Sequence, residues 1–426
     1  MSGWRILTPL TRRGSTLLWC GVGMTCVAFL FGQRDLIRVG VFLIALPALS
    51  LFVMSRIRFK VSITRGVSQN RIPVNGSTET ALKLHNVARI SSGLLLLEDA
   101  IPWELGRSQR VVVDRLQPNQ WRDVNCTLYG TARGRYTIGP TSITLVDPFG
   151  LCRTTRNFSA TDTVTVVPAT IALPTTSLHG DWAGVGESRA RAIASTGDDD
   201  VIPREYRIGD DLRRVHWKST ARSGELMVRR EEQPWRNRVT LVLDCRESAH
   251  RGSGPDSSFE WAVTAAASVG QHLLERGFGV RIMDTYGTPI VSPSQASESL
   301  SGSESVGALL DLMATVECGQ AGTAPTNHSL SPEAFSDGVL IALLGDLELK
   351  DAESIAALRP RRGTALAFIL DTSSWGGRSQ IPDHAGQSRS AALFAVHGWR
   401  SAICGRDSDL ADTWRSLSTG ALAGAS

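Results

Sequence analysis

The sequence of 426 residues lacks the common catalytic signatures. It contains no G-x-x-x-x-G-K-[ST] phosphate-binding loop, no H-E-x-x-H zinc motif and no G-x-S-x-G nucleophile turn. The nearest approach to the last motif, SESVG at residues 303–307, lacks the first glycine and lies in a serine-rich tract typical of a solvated loop. These absences favour a binding or structural protein over an enzyme.

Cysteine pairs and a strong charge excess are also missing. The seven cysteines form an odd, scattered set without a C-x-x-C pair, which predicts neither a disulfide framework nor a zinc site and suits a reducing compartment. Lysine and arginine exceed aspartate and glutamate by only 45 to 41. We therefore expect no nucleic-acid partner, because such partners require a clear basic excess.

Two long uncharged runs are present near the start of the sequence, at about residues 16–32 and 39–54. Each is close to the roughly 17 to 25 residues that span a bilayer as a helix. Only QRDLIR separates the runs, so residues 1–57 are predicted to form a transmembrane hairpin. A cleaved signal peptide is the alternative, but a second apolar run follows at once and no small-x-small cleavage site lies between the two.

Basic residues flank this hairpin on both outer sides. Arg12 and Arg13 precede the first run, and Arg56 and Arg58 follow the second. Because cytoplasmic flanks retain arginine and lysine, we expect both ends of the hairpin in the cytoplasm. The predicted location is therefore the inner or plasma membrane, as a multi-pass protein whose soluble domains are cytoplasmic.

Period-two patterns dominate residues 58–171, in short runs such as FKVSIT, RVVVDRL and DTVTVVP separated by Gly, Pro and Asn. Such regular short strands predict an all-β, sandwich-like domain. The DPFGL sequence at residues 147–151 is interpreted as a turn, with Phe149 plugging the edge of the sandwich. Residues 172–200 are rich in Gly, Ser and Ala without a sustained period, so they are predicted to be a linker.

The pattern changes in residues 201–426, where short apolar strands alternate with stretches of helical spacing. Runs such as VTLVLD, GVLIALLGD and TALAFILD are typical of strands covered on both faces. This alternation predicts a doubly wound, Rossmann-like α/β domain with a mostly parallel sheet. Ligands of such sheets bind beyond the carboxyl ends of the strands.

Two of these predicted strands end in a carboxylate, Asp244 and Asp346. The placement resembles the metal site of von Willebrand factor A domains, whose Asp-x-Ser-x-Ser run here reads Asp-Cys-Arg-Glu-Ser at residues 244–248. Arg246 stands at the first serine position, where its positive charge would oppose a divalent cation. No cofactor is therefore expected, and Mg²⁺ bound by Asp244, Ser248 and Asp346 is the alternative.

Residues 203–232 carry the densest charge in the chain, with eight basic and six acidic side chains. We expect Asp210 or Asp211 to cap a short helix that runs to about Arg222. A basic stripe is predicted along that helix at intervals of four, formed by Arg214, Lys218 and Arg222. The mixed signs favour an ion-paired connector that docks the linker on the α/β domain, and a partner-binding surface is the alternative.

The same segment strongly resembles the signature of the domain of unknown function 58 (DUF58) family, which runs Arg-x-Tyr, Gly-Asp, Arg, His-Trp, Ala-Arg and Leu-x-Val. The matching positions are Arg204, Tyr206, Gly209, Asp210, Arg213, His216, Trp217, Ala221, Arg222, Leu226 and Val228. The paired helices, the β-domain and the α/β unit are similar to the usual layout of that family, so the resemblance covers nearly the whole chain. It implies that the α/β unit of residues 201–426 is von Willebrand factor A-like.

The resemblance also implies a function. Members of the family often occur beside a MoxR-type AAA+ ATPase, sometimes with further von Willebrand proteins, which implies a membrane-tethered adaptor or scaffold and not an enzyme. The signature residues and the basic stripe are then expected to bind the partner. Two alternatives stay open: a metal-assisted hydrolase that uses Asp244 and Asp346, and a structural envelope protein that binds through its β-domain.

Overall fold

The computed structural model describes residues 10–56, 61–147, 149–175, 203–205, 220–222, 224–225, 227–229, 238–290, 305–319, 338–360, 363–376 and 384–419. The chain separates into two compact units, Met1–Val167 and Pro168–Ser426. The first unit contains apolar helices followed by a β-rich region, and the second contains a parallel sheet with helices. This agrees with the multidomain organisation expected from the sequence.

The first unit begins with two apolar helices, α1 (Arg12–Leu30) and α2 (Arg34–Arg56). By length and composition, both are long and apolar enough to cross a membrane. The helices approach closely at Gly21 and Gly40, where an added Cβ would collide with side chains of the facing helix. Small residues at such contacts let helix backbones pack in a lipid environment.

The ends of these helices differ from the predicted runs. Helix α1 begins earlier because Thr11 caps it, with its hydroxyl accepting a hydrogen bond from the Gly14 N–H. The turn between the helices lies at Gly32, with φ +71°. Helix α2 begins at Arg34, so most of the charged QRDLIR connection belongs to α2. Hydropathy indicates whether a helix lies in lipid or water, but it does not say where the helix begins. Arginine is a good helix former, so α2 extends through its charged residues.

Ten strands follow among the described residues of the first unit. They are β1 (Val61–Val67), β2 (Arg71–Pro73), β3 (Ser77–Asn86), β4 (Leu95–Asp99), β5 (Arg110–Val113), β6 (Trp121–Tyr129), β7 (Gly134–Ile138), β8 (Thr141–Val146), β9 (Arg153–Phe158) and β10 (Asp162–Val167). They form three sheets, ordered β1-β3-β6, β5-β4-β8-β9 and β2-β10-β7.

Alternating side chains pack the first two sheets on one shared core. Leu82 and Leu84 of β3 and Leu95 and Leu97 of β4 are buried in the same apolar cluster. The intervening residues of β3 are exposed or half-buried, which is the period-two pattern seen in the sequence. A region rich in short strands, as predicted for residues 58–171, is therefore confirmed.

The DPFGL turn does not plug the sandwich, so the expectation for Phe149 was wrong. Phe149 is 65 % exposed, whereas Leu151 is buried. The turn is instead hydrogen-bonded to the helices: the Thr11 N–H donates to the Leu151 carbonyl at 2.8 Å. Ser50 of α2 donates its hydroxyl to the buried carboxylate of Asp147 at 3.2 Å. These contacts tie the helical pair to the β-rich region.

A buried ion pair joins strands of all three sheets. The side chains of Arg65 in β1 and Asp99 in β4 are only 4 % and 2 % exposed, and their charged atoms lie 2.5 Å apart. The guanidinium also donates to the Thr141 hydroxyl in β8 and to the Ile138 carbonyl in β7. Burial raises the pKa of Asp99, while the hydrogen bond from Thr141 and the charge of Arg65 act in the opposite direction.

The second unit contains seven described strands and five described α-helices. The strands are β11 (Pro203–Glu205), β12 (Met227–Arg229), β13 (Arg238–Leu243), β14 (Gly279–Asp284), β15 (Val339–Leu344), β16 (Ala365–Leu370) and β17 (Arg400–Cys404). The helices are α3 (Ser258–Glu275), α4 (Ser305–Thr315), α5 (Leu349–Ala356), α6 (His384–Val396) and α7 (Leu410–Thr419).

Five of these strands form a parallel sheet in the order β14-β13-β15-β16-β17 within the described residues. Helices α3, α4 and α7 pack on one apolar face of the sheet, and α5 and α6 pack on the other. The predicted doubly wound α/β architecture is therefore confirmed. Leu173, which the sequence placed in the linker, is buried in the first of these cores, and residues 176–200 lie outside the described residues.

The Arg65–Asp99 pair generates a prediction about stability. Within the part of the chain that the structure describes, Asp99→Ala leaves the buried guanidinium of Arg65 with the more distant Asp162 carboxylate, at 3.8 Å, as its ionic partner. Breaking a buried pair from one side is expected to lower the free energy of unfolding by about 3–5 kcal/mol. Denaturant unfolding of the full chain in detergent measures the loss.

The matched control is the neighbouring Glu98→Ala, which breaks the half-exposed pair with Arg110. That change is expected to cost about 1 kcal/mol or less. Equal losses in the two variants would show that the buried pair has no special role.

Candidate functional site

Carboxylates collect at the edge of the parallel sheet where its strands end. Asp244 follows β13, Asp284 ends β14, and Asp371 follows β16. Asp346 lies two residues beyond the end of β15. Because parallel strands end at the same edge, these acidic side chains belong to one surface of the unit.

Asp284 and Asp371 were not singled out by the sequence reasoning, and both hold local turns. One oxygen of Asp284 accepts hydrogen bonds from two backbone N–H groups of the following turn, at 2.9 and 2.7 Å. Asp371 accepts from the Ser373 N–H at 3.2 Å. Both follow the same apolar-run pattern as Asp244, so the sequence signal that finds them does not separate a turn cap from a functional group.

The strand order reverses between β13 and β15, because the chain passes from β13 out to β14 and then back across to β15. Ligands of doubly wound sheets bind in the crevice at such a switch point. Asp244 and Asp346 are the acidic residues at the ends of these two strands. The candidate site therefore lies at this switch point.

The Asp244 carboxylate is fully buried and fully hydrogen-bonded. Its Oδ1 accepts from the backbone N–H of Arg246 at 3.1 Å and from Arg246 Nε at 3.0 Å. Its Oδ2 accepts from Arg246 Nη2 at 2.9 Å and from the Gly345 N–H at 3.3 Å. These four bonds fill the acceptor sites that a carboxylate offers.

The Arg246 guanidinium links this carboxylate to two further segments. Nη1 donates to the Asp351 carboxylate of α5 at 2.6 Å, and Nη2 also donates to the Asp346 carbonyl at 3.2 Å. The hydrogen bond with Asp244 is the main cause that raises the pKa of Arg246 above its usual value, against the effect of burial. The side chain is thus a fixed cation at the switch point, 13 % exposed.

His250 links the turn after β13 to the start of α3. Its Nε2 lies 2.7 Å from the Asp244 carbonyl, which only accepts, so Nε2 carries the proton. Nδ1 lies 3.1 Å from the Ser258 hydroxyl at the start of α3. Burial lowers the pKa of His250, which favours this neutral form. The sequence offered no signal for His250 beyond an isolated histidine.

Gly345 is required by a close backbone approach. An added Cβ would collide with the Ala249 carbonyl, and that carbonyl accepts from the Asp346 N–H at 2.8 Å. The 3-10 turn Glu247–Ala249 after β13 is therefore held directly against the loop after β15. The two loops of the switch point form one connected surface.

The predicted metal ligands are not arranged alike. Asp244 is buried with both oxygens engaged by Arg246, whereas the side chains of Ser248 and Asp346 are exposed to solvent. A divalent cation at Asp244 would have to displace a guanidinium that already neutralises it. The arrangement of these residues therefore does not fit Mg²⁺, which prefers hard oxygen ligands free to coordinate.

The signature segment is described only at its two ends. Arg204 lies in β11, which pairs with β12 so that Arg204 is opposite Val228. Arg222 is exposed at the end of a short helical turn. The other predicted partner-binding residues lie outside the described residues: Tyr206, Gly209, Asp210, Arg213, Arg214, His216, Trp217 and Lys218. The basic stripe therefore stays a prediction.

Arg246→Ala is expected to leave Asp244 buried without its counter-charge and to lower the free energy of unfolding by about 3–5 kcal/mol. Hydrogen–deuterium exchange of the β13 and β15 peptides in the full chain reports this loss locally. The control Arg406→Ala removes a half-exposed arginine that lies 3.5 Å from the exposed Asp256, and its expected cost is about 1 kcal/mol or less. Similar exchange in both variants would contradict a structural role for Arg246.

Comparison with known proteins gives a family match for the segment that supplies Asp244, Arg246 and His250 to this site. Residues 203–301 match the model of the family described as "Protein of unknown function DUF58". This match spans β11 to β14, including Asp244 and Arg246. No curated protein matches the chain.

Solved structures resemble the chain only weakly. The CARDB domain of the PF1109 protein from Pyrococcus furiosus is 16% identical over 26% of this chain and 98% of its own, with a TM-score of 0.20. The alkylpurine DNA glycosylase AlkC from Pseudomonas fluorescens is 15% identical over 34% of this chain and 42% of its own, with a TM-score of 0.19. Similarities of this size support no argument about function. The family match agrees with the signature residues: residues 203–301 of this chain match the DUF58 family.

Proposed function

We propose that this protein is a membrane-anchored adaptor or scaffold that acts with a MoxR-type AAA+ ATPase in protein assembly or cell-envelope maintenance. The two apolar helices anchor it, and its α/β unit, which is von Willebrand factor A-like, faces the cytoplasm. The partner contacts the strand-end loops and the basic stripe of Arg214, Lys218 and Arg222.

The observation that carries this proposal is the closed switch point. In a doubly wound enzyme this crevice is where a substrate or cofactor enters. Here Arg246 is hydrogen-bonded across it to Asp244, Asp351 and the Asp346 carbonyl. A crevice closed by internal ion pairs suits a preformed binding surface better than a reaction centre, because the carboxylate needed for metal or base chemistry is already neutralised.

The charge around the switch point gives the surface a chemical character. Glu247, Asp346 and Glu348 are exposed on its rim. Exposed charges of one sign mainly speed association and select partners rather than add large affinity. The rim therefore suits a basic surface on the partner, while the basic stripe suits an acidic one.

The test is affinity capture of the full-length chain from gently solubilised membranes of its host, with bound proteins identified by mass spectrometry. The wild-type chain is expected to retain the ATPase. The charge-reversal variant carries Arg214→Glu, Lys218→Glu and Arg222→Glu, and it is expected to lose most of the captured ATPase while its thermal unfolding stays unchanged.

A matched control reverses the same number of charges at exposed positions within or directly after helices of the α/β unit. The control substitutions are Arg276→Glu, Arg389→Glu and Arg415→Glu, all at exposed residues. Capture by this control is expected to equal that of the wild type. Retained capture in the stripe variant would make residues 203–232 a connector only, and absence of the ATPase from the wild-type sample would overturn the proposed partnership.

A further inference from the structure

One end of the β-rich region is joined to the helices and also exposes apolar side chains. The strand pairing places the start of β1 opposite the end of β3, and the start of β4 opposite the ends of β5 and β8. The loops β3–β4, β5–β6 and β8–β9 therefore lie at the end of the region where the chain arrives from α2. We call this end the helix-proximal end.

The β8–β9 loop lies alongside the last two turns of α2. Its residue Asp147 contacts Ser50, which lies six residues before the last residue of α2, Arg56. At 1.5 Å per residue, this contact is about 9 Å inside the helix end. Phe149 follows in the same loop and is 65 % exposed. If α2 crosses a bilayer, the Asp147–Ser50 contact therefore lies near the level where the interface meets the hydrocarbon, and Phe149 is two residues further along the same loop.

The acidic side chain of this loop makes its hydrogen bonds within the protein. The Asp147 carboxylate is buried and accepts hydrogen bonds from Ser50, from the Phe149 N–H at 3.3 Å and from the Cys152 N–H at 2.6 Å. Polar groups at membrane depth must be satisfied within the protein. This loop meets that condition while it presents an aromatic side chain outward.

The adjacent β3–β4 loop presents more apolar surface and is held rigidly. Val87, Ile90 and Leu94 are exposed. The buried Asn86 fixes their loop by donating to the carbonyls of Ile90, Leu116 and Gln117 at 3.0 to 3.2 Å. Trp121, at the start of β6, is also exposed at this end and stacks on His85. Amphipathic indoles of this kind favour the membrane interface.

Basic residues surround these apolar side chains. The helix-proximal loops and strand starts carry exposed arginines at Arg89, Arg115, Arg122 and Arg153. Asp114, Asp123 and the buried Asp147 are the acidic residues of this end, and Arg122 lies 3.9 Å from Asp114, so the arginines are in slight excess. Anionic headgroups attract such residues near the surface of a leaflet.

We propose that the helix-proximal end is a second membrane contact, in which Phe149 and Ile90 enter an anionic bilayer surface and the surrounding arginines bind lipid headgroups. The occupant is the bilayer that holds α1 and α2, because the apolar loops are continuous with the helix ends. This inference rests on the membrane anchoring proposed above. It assigns the β-rich region the role of a platform that lies against the membrane.

The test uses the full-length chain in nanodiscs of phosphatidylcholine with phosphatidylglycerol and one nitroxide label at a time. Exposed native cysteines, Cys20, Cys26 and Cys318, are replaced by serine except where one is the labelling site. Labels at Phe149→Cys and Ile90→Cys are expected to collide with oxygen several-fold more, relative to an aqueous nickel chelate, than a label at Trp103→Cys. Trp103 is exposed in the segment after β4, at the opposite end of the region.

A label on native Cys20, in α1, tests the anchor separately. Oxygen-dominated collisions at Cys20 with nickel-dominated collisions at positions 149 and 90 would overturn the platform and leave the anchor intact. Nickel-dominated collisions at Cys20 would overturn both. In nanodiscs without phosphatidylglycerol, the oxygen preference at position 90 is expected to fall, and the same fall is expected for Arg89→Glu with Arg115→Glu in anionic nanodiscs.

Discussion

The α/β unit depends on one buried ion pair at the point where its strand order reverses. Asp244 has no exposure to water, so its charge must be neutralised by the protein itself. Arg246 does this from two residues away and, with the same guanidinium, reaches α5 and the loop after β15. Because the buried carboxylate requires Arg246 beside it, the bonds of the same guanidinium hold the strand-end loops in one arrangement. The surface formed by these loops at the switch point therefore depends on the neutralisation of Asp244.

A similar logic joins the helices to the β-rich region. Asp147 is buried at the junction, and its hydrogen bonds come from Ser50 of α2 and from its own turn. The same turn leaves Phe149 exposed. In both units, a buried acidic residue fixes the conformation of a loop, and that loop exposes side chains that a neighbour can bind. For one unit we infer that this neighbour is a protein, and for the other the bilayer.

Much of the architecture followed from periodicity. The local sequence predicts the alternation of β3, with Leu82 and Leu84 inward. It also predicts that the fully apolar β15 and β16 are buried on both faces. The helix ends were less predictable, because α2 begins at the charged Arg34 rather than at the first apolar residue. Backbone hydrogen bonding continues through charged residues that are good helix formers, so hydropathy alone does not locate a helix terminus.

The sequence by itself determined the order of elements, the acidic ends of the strands and the departure at Arg246 from a metal-binding pattern. Only the tertiary structure decided that Arg246 turns back onto Asp244, that His250 and Gly345 support the same turn, and that Phe149 faces outward. The physical reason is that periodicity is a property of neighbouring residues, whereas neutralising a buried charge depends on atoms about 100 residues apart, such as those of Arg246 and Asp351.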